Sequence, residues 1–170
     1  GLVDAIKKRL ALTIAQFRRM EQDATDHVRA MKQRTAPAAE QTPNRTDKGR
    51  IPDEQASMAN LKRIGLSINP LPAGLAEYGI SEEALLDESK ALIEPFGFEV
   101  VQEDILPMMV LTVGIAHDEG SETFGYTVYA DLKQRVKIYR LDKDLIVPTA
   151  TVSANGLTHA SGLAAGINMR

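Results

Sequence analysis

Residues 107–140 read PMMVLTVGIAHDEGSETFGYTVYADLKQRVKIYR, and the fold turns on their alternation. Met109, Leu111, Val113 and Ile115 occupy every second position. His117 to Thr123, a turn-rich cluster around Gly120, breaks the pattern. It resumes with Tyr126, Val128, Ala130, Leu132, Val136 and Ile138, separated by Thr127, Tyr129, Asp131, Lys133, Arg135, Lys137 and Tyr139. One apolar and one polar face on each arm is the signature of half-buried antiparallel strands joined as a hairpin. The second arm, Gly125 to Arg140, is 16 residues long, well beyond a usual strand of about 5–6. One end should therefore project, or a bulge should fall near Gln134, where a polar residue interrupts the apolar face.

Working outward, Leu61, Ile64, Leu66 and Ile68 alternate partly and stop at Asn69-Pro70-Leu71-Pro72, which predicts a strand at about 63–68. Ser81 followed by Glu82 and Glu83 is a helix start, an N-cap with two acids in the positive first turn. Leu85, Leu86, Ser89, Leu92, Ile93 and Phe96 form one stripe, and Pro95 and Gly97 end the helix. Val128, Leu132, Val136 and Ile138 are expected to lie under Leu85, Leu92 and Phe96. A short strand at 98–101 and a last one at about 145–154 complete the body, and Pro148 places the last at an edge or bulge. The expected class is α+β: a mostly antiparallel four- to five-stranded sheet with one packed helix (81–94), preceded by a long N-terminal helix and an extended linker. The expected organisation is helix 1–34, linker 35–57, domain 58–155 and a small, Gly-rich tail 156–170 that is flexible or partner-bound.

The order strand, helix and four strands, with Ile80-Ser81-Glu82-Glu83-Ala84-Leu85 and Phe96-Gly97-Phe98-Glu99-Val100, resembles small α/β domains of secreted bacterial envelope proteins, such as the amino-terminal domain of the Tol-Pal translocation protein. The resemblance spans about residues 60–154, rests on element order and periodicity, and carries no functional residue across. It implies a bacterial envelope or periplasmic location, with a cytoplasmic one as the alternative, and a role in binding or assembly.

Before that body, Val3, Ile6, Leu10, Thr13, Phe17, Met20, Ala24, His27 and Met31 fall at alternating spacings of three and four, a heptad-like seam on one long helix. At 1.5 Å per residue the helix reaches roughly 45 Å. A domain of about 100 residues is expected to be too small to cover it, so Ile6, Leu10, Phe17 and Met20 are expected to pack on another chain. The alternative is a helix lying across its own sheet. The linker TAPAAEQTPNRTDKGRIPDEQAS has Ile51 as its only large apolar residue and cannot fold alone.

Charge divides the same way. Residues 1–50 hold eleven Lys or Arg against six Asp or Glu, a balance of +5, and residues 51–170 hold nine against seventeen, a balance of −8. A basic arm on an acidic body points to an acidic partner or a membrane surface. Arg18, Arg19 and Arg29 are the candidate contacts. Net charge −3 gives no general affinity for nucleic acid. The chain has no cysteine, which removes disulfides and thiolate chemistry. The apolar run Leu10–Ala15 is too short for a bilayer span or a signal-peptide core.

The chain carries few residue patterns that imply chemistry. His117-Asp118-Glu119 clusters a base with two acids, but neighbours in a turn rarely converge on one ion, and a solvated turn is the reading adopted. His27 sits on the seam, and His159 has no acid beside it. No phosphate loop or nucleophile elbow occurs. Asn44-Arg45-Thr46 matches a glycosylation sequon and is discounted. Glu82, Glu83, Asp87 and Glu88 read as a solvated helix face. Lys133, Arg135 and Lys137 alternate with aromatics, as some single-strand binders do, but Asp131 interrupts them and cross-strand ion pairs are expected. No catalytic residue, metal ligand or cofactor is assigned. The expected function is a non-enzymatic structural or accessory subunit of an envelope assembly, docked through residues 1–57 on other protein subunits, with membrane-surface contact by the basic arm. The alternative is a small-molecule-binding or catalytic domain with a pocket between helix 81–94 and the sheet.

Overall fold

The structure, a computed structural model, describes residues 1–33, 51–118, 120 and 123–159, with backbone alone for 157–159. The sequon, residues 35–50 of the expected linker, Glu119 and residues 160–170 of the expected tail lie outside this set. Helix α1 spans Leu2–Gln33, a short helix α2 spans Asp53–Ala56, and α3 spans Glu82–Ile93. The strands are β1 (Arg63–Ile68), β2 (Glu99–Val101), β3 (Met108–Asp118), β4 (Thr123–Ile138) and β5 (Lys143–His159). The α+β class is as expected, and both arms of the long hairpin are present. Ser81 caps α3, its hydroxyl accepting from the Ala84 N–H at 3.1 Å.

The sheet has the order β2-β1-β3-β4-β5 and is mixed. β3, β4 and β5 are antiparallel neighbours, but β1 is parallel to both β2 and β3. The expectation of mostly antiparallel pairing is corrected on that side. A helix between two adjacent strands makes a crossover, which returns the chain in the same direction. β2 and β3 share β1 between them: Gly65 is level with Val101 on one side and Met108 on the other. The chain hops from β2 to β3 directly over Gly65, where a β-carbon would lie 2.7 Å from the Ile105 carbonyl oxygen and 3.0 Å from that of Glu103. Gly65→Ala is therefore expected to cost about 1–3 kcal/mol by overpacking against backbone. Urea denaturation measures it, and an unchanged midpoint would mean the crossing loop yields freely.

Both long helices cover one face of the sheet. α3 packs against β1 through buried Leu85, Ser89 and Ile93, while α1 crosses β4 and β5. Val128 and Leu132 are fully buried as expected, but under α1 rather than α3. Phe96 is exposed and Leu92 only half-buried, because Ile93 takes the core position. The opposite face of β4 and β5 is largely polar, and on β3 it carries the buried Val110. There Thr127 bonds Asn155, Thr151 donates to Asp131 at 2.5 Å, and Asn69 donates to Thr112 at 2.8 Å.

Two further boundaries move. β5 runs on to His159 instead of stopping near 154, so part of the expected tail is strand. Residues 53–56 are helical, not extended, and the Met58 that follows is fully buried. α1 is likewise no separate domain, since its buried residues join one cluster with those of the sheet. The register shifts between Leu132 and Lys133, with Ala150 and Pro148 opposite them, so Thr149 is the extra residue of a bulge on the edge strand. β3 stops pairing at Lys133. Beyond it β4 and β5 continue alone as a two-stranded ribbon over 134–147, in which Val136 and Ile138 are half-exposed rather than buried. The projecting end occurs as expected, while the bulge lies beside Gln134 but on β5, next to Pro148, and not on β4 itself.

Candidate functional site

Ile6, Leu10 and Phe17, expected to meet another chain, lie fully buried in this chain's own core with Leu2, Ile14 and Ala24. The physical reason is length. The stretch of β4 paired on both sides, residues 123–133, spans roughly 36 Å at about 3.3 Å per residue, which matches the buried stretch of α1 from Leu2 to Ala24 at about 1.5 Å per residue. Met20 is half-buried, and its carbonyl accepts from Gln55 Nε2 at 3.3 Å. Arg18 is also turned inward: its guanidinium lies 5.4 Å from the Phe98 ring centroid and donates to Glu21 Oε2 at 2.5 Å. Arg19 is exposed, and Arg29 is exposed with Asp26 at 3.8 Å.

A polar clamp marks where α1 stops being core. Buried Glu21 accepts from Arg18 and, at 2.9 Å, from the Thr25 hydroxyl, which itself accepts from the Asn60 N–H at 2.9 Å. Gln134 Nε2 donates to the Ser57 carbonyl at 2.9 Å and to Thr149 Oγ1 at 2.8 Å. Residues 55–60 are thereby tied both to α1 and to the root of the ribbon. α1 and β4 run in the same direction. Leu2 lies by Ile115 and Phe124, Thr13 donates to the Val128 carbonyl at 3.2 Å, and Thr25 and Gln134 meet the same clamp. The last turns of α1 and the ribbon 134–147 therefore leave the body at the same end.

This end differs from the rest of the molecule in charge and in apolar exposure. Positions 26–33 and 134–147 hold six basic and three acidic side chains, a balance of +3, while the remaining described residues hold nine and sixteen, a balance of −7. Of six exposed large apolar side chains among the described residues, four lie here: Met31 (60% exposed), Tyr139 (87%), Leu141 (52%) and Ile146 (56%). Lys137 pairs with Asp142 at 2.9 Å. Arg135, Arg140 and Lys143 have no ion-pair partner among the described residues. Sequence reasoning placed the basic surface in the arm and took Lys133, Arg135 and Lys137 for cross-strand pairing. The available signal was the excess length of the second hairpin arm, together with Tyr139 and Leu141 beside the β4–β5 turn.

On the side of α3 that faces the sheet, where a pocket was expected in the alternative reading, Leu85, Ser89 and Ile93 are buried. Two open clefts lie elsewhere. One, of about 290 Å³, sits at the far end of the sheet, with Leu2, Leu75 and Ile115 in its floor and wall and Glu77, Tyr78 and His117 beside them. His117 is stacked on Phe124, ring centroids 4.3 Å apart. The other, of about 400 Å³, runs along Asp4, Lys8, Leu12 and Tyr126. Among the described residues no group of three or more His, Cys, Asp or Glu could hold a metal ion, and no buried side-chain nitrogen or oxygen lacks a hydrogen-bond partner. No described helix is long and apolar enough to cross a membrane. No protein-family model, curated protein or solved structure matches the chain. The fold and this end define an α+β domain with an acidic body and a basic, apolar-tipped extremity.

Proposed function

We propose that this chain is a non-enzymatic accessory subunit of a bacterial envelope assembly, recruited to an acidic surface through the end formed by the last turns of α1 and the ribbon 134–147. The observation that carries the reading is the separation of +3 at that end from −7 over the other described residues, coincident with the exposed apolar tips. Opposed charge of this kind orients encounter with an acidic surface. The seam of α1 is consumed inside the chain, so the recruitment surface is the part of the arm beyond Ala24 together with the ribbon. The envelope location is supported by the element order of residues 60–154.

The test is fractionation of the full chain in cells of its native source. The wild type is expected to sediment with envelope material and to be released by salt, because exposed charges are screened beyond about 8–10 Å at physiological ionic strength. The quadruple variant Arg29→Glu, Lys32→Glu, Arg140→Glu, Lys143→Glu changes only exposed positions and is expected to stay in the soluble fraction. Equal sedimentation of the two chains would refute the reading.

A further inference from the structure

We infer that the acidic surface is an anionic lipid bilayer, with Tyr139 and Leu141 entering the headgroup region while Arg135, Arg140 and Lys143 lie against lipid phosphates. This rests on the reading of the basic end as the recruitment surface and names its partner.

The form of that end favours a fluid surface over a protein one. From the level at which Thr13 bonds Val128, Met31 is roughly 27 Å further along α1 and Tyr139 roughly 36 Å further along β4, at about 1.5 and 3.3 Å per residue. Two separate projections thus leave the body in one direction, with Met31 about level with Ile146 and Tyr139 roughly 9 Å beyond, and each carries isolated apolar side chains. A protein partner is held by a contiguous, shape-complementary patch with a buried centre. Isolated tips provide no such patch. A fluid interface needs none, since each apolar tip enters it independently and each basic side chain reaches a phosphate on its own flexible stem.

The chemistry at the ribbon tip is graded in the way an interface is graded. Tyr139 is the most exposed large apolar residue among the described residues, with Lys137 Nζ 6.0 Å from its ring centroid. Aromatic rings with a polar end concentrate at the headgroup level. Leu141 follows in the same turn, and Ile146, opposite Arg135 in the strand register, lies one level behind. Polybasic clusters beside such residues are drawn to the negative potential of anionic leaflets, and the attraction falls off within a Debye length. The partner is therefore a phospholipid surface of net negative charge, contacted and not crossed.

The experiment uses the full chain with vesicles of phosphatidylcholine alone or with about a third phosphatidylglycerol. The chain contains no tryptophan, so Tyr139→Trp is a clean reporter. Wild type is expected to sediment with the anionic vesicles and not with the neutral ones, and the reporter's emission is expected to shift to the blue only with the anionic ones. Arg140→Gln with Lys143→Gln is expected to weaken binding about 25-fold, near fivefold per basic residue. Leu141→Ser is expected to weaken it about tenfold as its apolar contact is lost. Failure to sediment with anionic vesicles would overturn the bilayer and leave recruitment by an acidic protein subunit standing. Binding that is unchanged by Leu141→Ser, with no emission shift, would overturn the entry of the tip into lipid.

Discussion

A chain that begins at Ile51 is expected not to fold. Removing α1 takes away Leu2, Ile6, Leu10, Ile14 and Phe17, all buried. At about 1.5–3 kcal/mol for each fully buried large apolar side chain, their burial contributes on the order of 10 kcal/mol. That equals the whole stability of a typical domain, about 5–15 kcal/mol. It would also leave Val128, Ala130, Leu132, Ala150 and Val152, now buried, on an open sheet face. The basic arm is thus not a detachable tether on an independent body, and truncation cannot be used to remove its contacts. Circular dichroism with thermal unfolding of residues 51–170 checks this. A cooperative transition would show that the sheet and α3 suffice.

The second large effect is expected at a single position. Leu10→Asp places a carboxylate where the side chain is 2% exposed. The lost packing alone costs about 2–5 kcal/mol, as for a truncation to alanine. The desolvated carboxyl adds to it, whether it stays ionised or takes up a proton. The sum, about 3–8 kcal/mol, is comparable with the whole stability of a marginal domain, so the variant is expected to be largely unfolded. Were Leu10 instead at an interface between chains, the same change would dissociate subunits and leave each folded. Analytical ultracentrifugation combined with circular dichroism separates the two. A folded chain with reduced mass would restore the intermolecular seam.

How much of this was legible in the sequence depends on which physical signal each feature leaves. β1, α3 and the hairpin arms were readable because alternation, the Ser81 cap and the Asn69–Pro72 break are local. The bulge was readable in Pro148 and Gln134, which cannot continue an apolar ladder. Parallel pairing of β1 with β2 and β3 was not readable from alternation, which is the same for either direction. Its one trace was Gly65, whose missing β-carbon leaves room for the Ile105 carbonyl. The heptad-like seam of α1 is buried at Ile6, Leu10, Thr13, Phe17 and Ala24 but half-buried at Val3, Met20 and His27 and exposed at Met31, and what covers it is this chain's own sheet. A helix's apolar spacing reports that something covers it and not what. The deciding quantity was the length of β4 and β5, already present in the same sequence.

The basic end proposed for docking was half legible. Arg29 and the charge asymmetry of the arm pointed to it. Arg18 did not, because its proximity to Phe98 and Glu21 depends on β2 and α1 meeting in three dimensions. Tyr139, Leu141 and Ile146 were hidden in an alternating pattern that continues past the end of the core. Only the stop of β3 pairing at Lys133 shows which part of that pattern is left uncovered.

The central claim is that this chain meets its partner through the last turns of α1 and the ribbon 134–147, and not through the α1 seam. Hydrogen–deuterium exchange of the full chain, free and bound to envelope vesicles from its native source, tests it directly. The account predicts slow exchange over Ile6–Ala24 in both states and new protection confined to 27–33 and 134–147 on binding. New protection along Ile6–Met20 with an unchanged ribbon would contradict it.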